Sequence, residues 1–313
     1  MIVVAHHLYR LGDAYRRLRP DPLTEVSTPA DLMACLPDAS TLVISRFWQN
    51  GLLDLAPRLK FIQSISAGTD QFDVAEISRR GIRLASAQTA NETAVAEHAI
   101  GLMLSLTRQL HYARDNQAVR IWREVSPLQA ARETEVRGKV IAIIGFGRIG
   151  QRIAAIAKAL GMTVIGVRRR PAATAGHADI LVASDRLETA LAQADVVVLT
   201  CPHTAETDKL IGHAQLAAMK PSAYLLNIAR GRIVDQDALI SALQAGRLAG
   251  AALDCFVEEP LPADSPLWAF PNVIVTPHSA GNTQYYEANV AAILAENIAR
   301  LERGAPTLLN QVN

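Results

Sequence analysis

The stretch "KVIAIIGFGRIGQRIAAIAKALGMTVIGVRRRP", residues 139–171, decides the fold. It opens with an apolar run, passes through Gly145, Gly147 and Gly150, continues as an Ala/Ile-rich amphipathic stretch, and returns to a second apolar run at 163–167. The spacing predicts strand, glycine turn, helix and strand, the βαβ unit that holds a dinucleotide. Gly145 allows the tight turn, Gly147 lets the backbone approach a pyrophosphate, and Gly150 lets helix and strand pack closely. Free amides and the positive end of the helix would face the phosphates, with Arg148 and Ile149 inside the turn as further candidate contacts. About twenty residues past the glycines, an NAD-binding chain usually carries an acidic residue for the adenosine ribose. Here Arg168, Arg169 and Arg170 stand instead.

Outward from this unit the same rhythm repeats. Downstream, "ADVVVLT", "AYLLNIA", "GAALDCF" and "NVIVTP" are apolar runs separated by helix-length segments, which predicts a doubly wound Rossmann domain over residues 93–283. Upstream, "MIVVA", "TLVISRF", "KFIQSIS" and "IRLAS" read as buried strands of a smaller parallel sheet. "NETAVAEHAIGLMLSLTRQLHYARDN" reads as one long helix carrying the chain between domains, and a last helix over roughly 284–303 is expected to pack back on the first domain. The fold class is therefore α/β with two flavodoxin/Rossmann-like domains, the substrate-binding one discontinuous, 1–92 plus 284–313. No repeat of 20 to 50 residues is visible.

Composition narrows the function classes. The 313 residues are 50% hydrophobic, enough for two cores, and 31 Lys+Arg against 30 Asp+Glu leave a net charge of +1. That gives no global electrostatic case for nucleic acid or an anionic membrane, so any anion site is local. Cys35, Cys201 and Cys255 form no CxxC pair, which argues against a zinc site or a disulfide framework and fits a reducing cytoplasm. The start "MIVVAHHLYR" has no cleavage-site pattern, and no stretch is long and apolar enough for a membrane helix.

Three segments place polar residues where strands are expected to end, the edge at which open α/β sheets bind ligands. They are "NIARGRIVD" with Arg230, "ALDCFVEEPLP" with Asp254 and Glu259, and "VIVTPHSAG" with His278. Taken singly they read as an exposed arginine, a surface acidic pair and a loop histidine.

Together with "SAGTD" at 66–70, "NETAVAEHAIGLML" at 91–104, "CPHTAETDKLI" at 201–211 and "PNVIVTPH" at 271–278, they resemble in order and wording the D-isomer-specific 2-hydroxyacid dehydrogenases. The pattern is similar above all to the NADPH-dependent glyoxylate/hydroxypyruvate reductases. The resemblance implies an active site in an interdomain cleft and a homodimer formed through the nucleotide domain. It implies that Arg230 holds carboxylate and carbonyl of a 2-oxoacid, a task suited to a guanidinium fork. His278 would be the acid–base group, protonated for reduction and neutral for oxidation. Glu259, the acid just before the proline and so preferred over Glu258, would orient His278 and favour its charged form. Asp254 would contact the nicotinamide carboxamide, and Cys201, Pro202, Thr207, Ala229 and Gly281 would line the cofactor, the two nearby cysteines acting as small apolar fillers.

The substrate carboxylate would meet the amides of Ala67, Gly68 and Thr69, a turn of exposed N–H groups. Thr69 departs from the aliphatic residue common in the family, so the backbone carries that expectation. Trp48, in "SRFWQN", would either cover the substrate or anchor the small domain. "VTPHSAG" departs from the pattern of formate dehydrogenases and disfavours formate.

The expected activity is reduction of a small 2-oxoacid such as glyoxylate or hydroxypyruvate. Its competitors are NAD-linked oxidation of a D-2-hydroxyacid and a cofactor-sensing corepressor-like role. Phosphoglycerate dehydrogenases often carry a C-terminal regulatory domain, and the sequence stops at Asn313 without one. By the family register Arg168 takes the place of the ribose-binding aspartate, so the repulsion of a 2′-phosphate is gone and Arg168 and Arg169 can pair with it. NADP(H) is the expected cofactor and NAD(H) the alternative.

Overall fold

Apolar runs without alternation build two all-parallel sheets, the pattern expected of strands covered on both faces. The computed structural model describes residues 1–170 and 175–313; Pro171, the last residue of the stretch quoted above, lies outside them. The chain divides into two units, Met1–Asn91 with Asn282–Asn313, and Glu92–Gly281.

The first unit holds β1 (Ile2–Ala5), β2 (Leu23–Val26), β3 (Thr41–Ile44), β4 (Phe61–Ser64) and β5 (Arg83–Ala85) in the order β2-β1-β3-β4-β5. Ala5 lies opposite Ile44 and Ile44 opposite Ser64, so the three inner strands end in step and present their following turns side by side. The helix Tyr286–Glu302 belongs to this unit. It buries Val290, Ile293 and Leu294 against Ile2, Val4, Leu11 and Tyr15. Its fully buried Asn297 donates to Gln63 Oε1 at 2.9 Å and accepts from the Leu309 amide at 2.7 Å, so two polar groups inside the core satisfy each other.

The second unit holds β6 (Val140–Ile144), β7 (Thr163–Arg168), β8 (Ile180–Ala183), β9 (Val196–Leu199), β10 (Tyr224–Asn227), β11 (Gly250–Leu253) and β12 (Val273–Val275). The order β12-β11-β10-β9-β6-β7-β8 reverses direction between β6 and β9, and the crevice at that reversal is where doubly wound sheets take their ligands. Two edge strands, β2 and β8, are absent from the runs read as strands above: β2, "LTEV", is half-covered and free to carry polar residues, whereas β8, "ILVA", is a short apolar run that escaped the sequence reading. The long helix is two, Glu92–Thr107 and Leu110–Ala118, broken where Gln109 adopts φ +53°. Neither Gly nor Pro marks that break. The second helix has no fully buried residue, and its His111 Nδ1 lies 3.0 Å from Ser105 O of the first.

Candidate active site and cofactor turn

The glycine turn has the form its spacing predicts. Gly145 sits at φ +96°, and a Cβ there would lie 2.3 Å from the Cys201 amide nitrogen, so β6 and the segment after β9 approach with no room for a side chain. A Cβ on Gly150 would come within 3.1 Å of Gly145 O and of the Ile143 side chain, which is the close helix–strand packing. Gly147 caps the helix Arg148–Ala159, and the first amide to find a helical carbonyl is that of Gln151, 2.9 Å from Gly147 O. Among the described residues the amides of Arg148, Ile149 and Gly150 have no partner. This cradle fits a dinucleotide pyrophosphate: open donors, a positive helix end and no Cβ in the way.

Around it, Thr200 donates to Gly145 O at 2.7 Å and Thr207 to Pro202 O at 2.8 Å, which fixes the loop that carries Cys201. The Cys201 thiol is pushed up to about 11 by burial and the Cys255 thiol higher still, so both remain neutral packing groups. Arg148 reaches back toward the buried Glu92, which Arg152 also meets at 3.3 Å. Beyond β7, Arg168 is half-buried and Arg169 and Arg170 are exposed. Among the described residues none of the three side chains makes a hydrogen bond or ion pair. Glu206 is held below the usual carboxylate range by a hydrogen bond from Thr204, its own backbone and the Arg169 charge.

The ends of β10, β11 and β12 bring Arg230, Glu259 and His278 into one unit. His278 Nδ1 lies 2.8 Å from Glu259 Oε2, and the other oxygen of that carboxylate accepts the Phe256 amide at 2.9 Å. Facing a carboxylate, Nδ1 carries the proton, which leaves Nε2 as the outward nitrogen of a ring that is nearly half exposed. His278 itself is held at φ +51°, sparsely populated for a residue with a Cβ.

What holds it there is Asp254. Only 1% exposed, it accepts the Thr276 hydroxyl at 2.6 Å and the Ser279 amide at 2.8 Å on Oδ1, and the Ala280 amide at 2.9 Å on Oδ2. The loop from Thr276 to Gly281 is thus tied to β11 on both sides of His278. Asn227 does the same for Arg230, accepting the Ala229 amide at 3.1 Å and donating to Arg230 O at 3.0 Å. Arg230 donates to Ala229 O at 2.7 Å. A Cβ on Gly231 would fall 1.9 Å from the Phe256 carbonyl carbon, so the Arg230 loop lies flush on the segment that carries Glu259.

In the first unit, the amides of Ala67, Gly68 and Thr69 have no partner among the described residues, and the turn is half-exposed after β4. Of the two roles open to Trp48, the packing favours the anchor. The residue is 7% exposed within the core of the small unit, its ring tilted at 44° to Phe72 with centroids 4.8 Å apart and its N–H donated to Asn50 at 2.8 Å. Asn227, Gly231, Thr276 and the Phe256 amide escaped the sequence reading. A buried polar residue ending an apolar run, as in "LLN", is the one signal that could have found Asn227. Among the described residues no cluster of three metal-ligating side chains occurs, and no helix is long and apolar enough to cross a membrane.

A parallel α/β unit with a glycine cradle and an Arg, Glu and His set on neighbouring strand ends defines a nicotinamide-dependent dehydrogenase. Residues 100–280 match the model of the D-isomer specific 2-hydroxyacid dehydrogenase NAD-binding domain, and the chain belongs to that family of oxidoreductases. It is 39% identical over 281 residues to glyoxylate/hydroxypyruvate reductase B of Yersinia pestis, covering 89% of this chain and 85% of that one. It is 37% identical over 282 residues to a glyoxylate reductase of Thermococcus gammatolerans, covering 88% and 83%. The TT0316 protein of Thermus thermophilus shares the fold over 100% of both chains, with a TM-score of 0.86 and 31% identity.

Proposed function

We propose that the protein reduces a small 2-oxoacid of the glyoxylate or hydroxypyruvate type to the D-2-hydroxyacid with NADPH. The observation that carries this reading is the 2.8 Å pair between His278 Nδ1 and Glu259, on the strand end next to that of Arg230. The names of the two reductase relatives support the substrate class. The bound nicotinamide supplies the hydride. Arg230 holds the substrate carboxylate and polarises the ketone; in the first unit, the open amides at 67–69 suit a carboxylate as well. His278, charged, delivers the proton from Nε2 to the ketone oxygen, while Glu259 stabilises the imidazolium through Nδ1. Asp254, with both oxygens engaged by the His278 loop, keeps that nitrogen in place and leaves only its remaining lone pairs for the carboxamide.

Cofactor choice rests on the turn after β7. Three arginine side chains without protein partners among the described residues suit a 2′-phosphate, and no acidic residue stands at their head. The experiment is a set of initial rates with glyoxylate and hydroxypyruvate, each with NADPH and NADH, on the wild type and on Arg168→Asp. The expected outcome is turnover with an NADPH preference that shrinks about tenfold or more in the variant, one charge-assisted contact being worth roughly 1.5–3 kcal/mol. No turnover of either substrate sinks the reductase reading; an unchanged cofactor ratio sinks the role of Arg168.

The partner we infer is a second copy of the chain. Val119, Ile121, Trp122, Val125 and Leu128 expose a run of apolar side chains on the second unit, Trp122 to 93%. Such a patch on a globular protein is more often an interface than a solvated face. Sedimentation of the wild type at twice the chain mass, and of Trp122→Glu at the chain mass, is the expected result; a monomeric wild type overturns it.

A further inference from the structure

His98 lies in the segment "NETAVAEHAIGLML", which the family resemblance singles out and to which the mechanism above gives no task. On the helix Glu92–Thr107 its Nε2 is 3.2 Å from Thr276 Oγ1 and 3.6 Å from Asp254 Oδ1. The hydroxyl has one proton, and at 2.6 Å that proton goes to Asp254. Thr276 Oγ1 is therefore the acceptor toward His98, and Nε2 carries a hydrogen whether the ring is neutral or charged. The result is a directed chain, His98 to Thr276 to Asp254, and Asp254 also receives the amides of Ser279 and Ala280 that flank His278.

We propose that His98 is a positioning residue for the acid–base group: its Nε2–H fixes the Thr276 hydroxyl, and through Asp254 the whole turn that holds His278 at φ +51°. No contact with substrate or cofactor is required. Three donors on one buried carboxylate, with His98 behind the first of them, make a network whose members support one another, so loss of the outermost donor loosens the turn without emptying it. The ring is 23% exposed, which lets it be replaced without opening a core cavity.

This rests on the reductase reading, and the test separates the two. Three variants, His98→Ala, His98→Gln and Thr276→Val, are compared with the wild type by kcat, by KM for NADPH, and by the low-field proton resonance of His278 Nδ1–H, identified by its loss in His278→Gln. His98→Ala and Thr276→Val are expected to lower kcat about tenfold, the size of one network hydrogen bond, with KM for NADPH within about twofold, and to broaden or shift that resonance. Gln, which keeps a donor on a similar stem, is expected to restore kcat to within about threefold and the resonance with it. A kcat unchanged in His98→Ala, or a Gln variant as poor as Ala, overturns the proposal. Should the wild type turn over no 2-oxoacid, the reductase reading fails while the resonance still judges His98.

Discussion

Two histidines, one in each unit, follow the ends of parallel strands and are poised in opposite ways. His6, just after β1, is 5% exposed, and its Nδ1 accepts the amides of Leu8 and Tyr9, each at 3.0 Å. An acceptor at Nδ1 must be unprotonated. Burial above all, with the neighbouring His7 and Arg46, lowers its pKa to about 4. His278, after β12, faces a carboxylate with the same nitrogen and stands nearly half in solvent. The difference teaches that the ring is not what makes a proton donor. A backbone turn that uses Nδ1 as acceptor fixes a neutral ring for structure, whereas a carboxylate that uses Nδ1 as donor frees Nε2 for chemistry.

The strongest way to break the contrast is to remove the ring that should matter to turnover. His278→Ala is expected to lower kcat about a thousandfold or more, within the range general acid–base groups supply, with NADPH affinity measured by fluorescence titration staying within about threefold. Activity near wild type would falsify the assignment. Glu259→Gln keeps one oxygen, for the Phe256 amide, and turns the other into an NH2 group facing Nδ1–H, so both the charge and the acceptor at Nδ1 are lost. A fall of about ten- to a hundredfold in kcat/KM is expected, from the roughly 1.5–3 kcal/mol of a charged hydrogen bond, and a change under twofold would leave Glu259 without its role.

The smallest effect sharpens the other side. Between its unfolded value of 6.5 and its folded value of about 4, His6 binds more proton in the unfolded chain, so stability rises with pH across that window and is lost on acidification. At about pH 5.5 the cost is about 1 kcal/mol, and His6→Asn, which keeps an acceptor and cannot titrate, should be spared it. Denaturant unfolding of both proteins at neutral and mildly acid pH makes the comparison. Equal losses would show that His6 is not the group resisting protonation.

How much of this was legible beforehand follows from what burial forces on a sequence. The inner strands of both sheets are covered on both faces, so "VIAII", "VVVL" and "YLLN" had to be apolar and could be read as strands. The edges β2 and β8 are covered less, and "LTEV" shows no run to read. The glycine turn was legible because only glycine tolerates what Gly145 meets. Arg230, Glu259 and His278 were legible through the family's wording; their separation in sequence says nothing of the adjacency of β10, β11 and β12. Asn227, Thr276 and the Phe256 amide were not, because each acts through one hydrogen bond to a backbone or a carboxylate far along the chain, and nothing local encodes such a partner. Trp48 stayed open between two roles in the sequence for the opposite reason: a large aromatic beside a polar turn looks alike whether it covers a ligand or a core.

Gly231 carries a consequence for how this protein can be altered. With the Phe256 backbone where its side chain would be, the Arg230 loop and the Glu259 segment form a single dovetailed part, cut with no clearance. Neither can be re-aimed alone. A change that shifts one of the two segments must therefore shift the other with it, and the joint behaves as one rigid piece of the second unit.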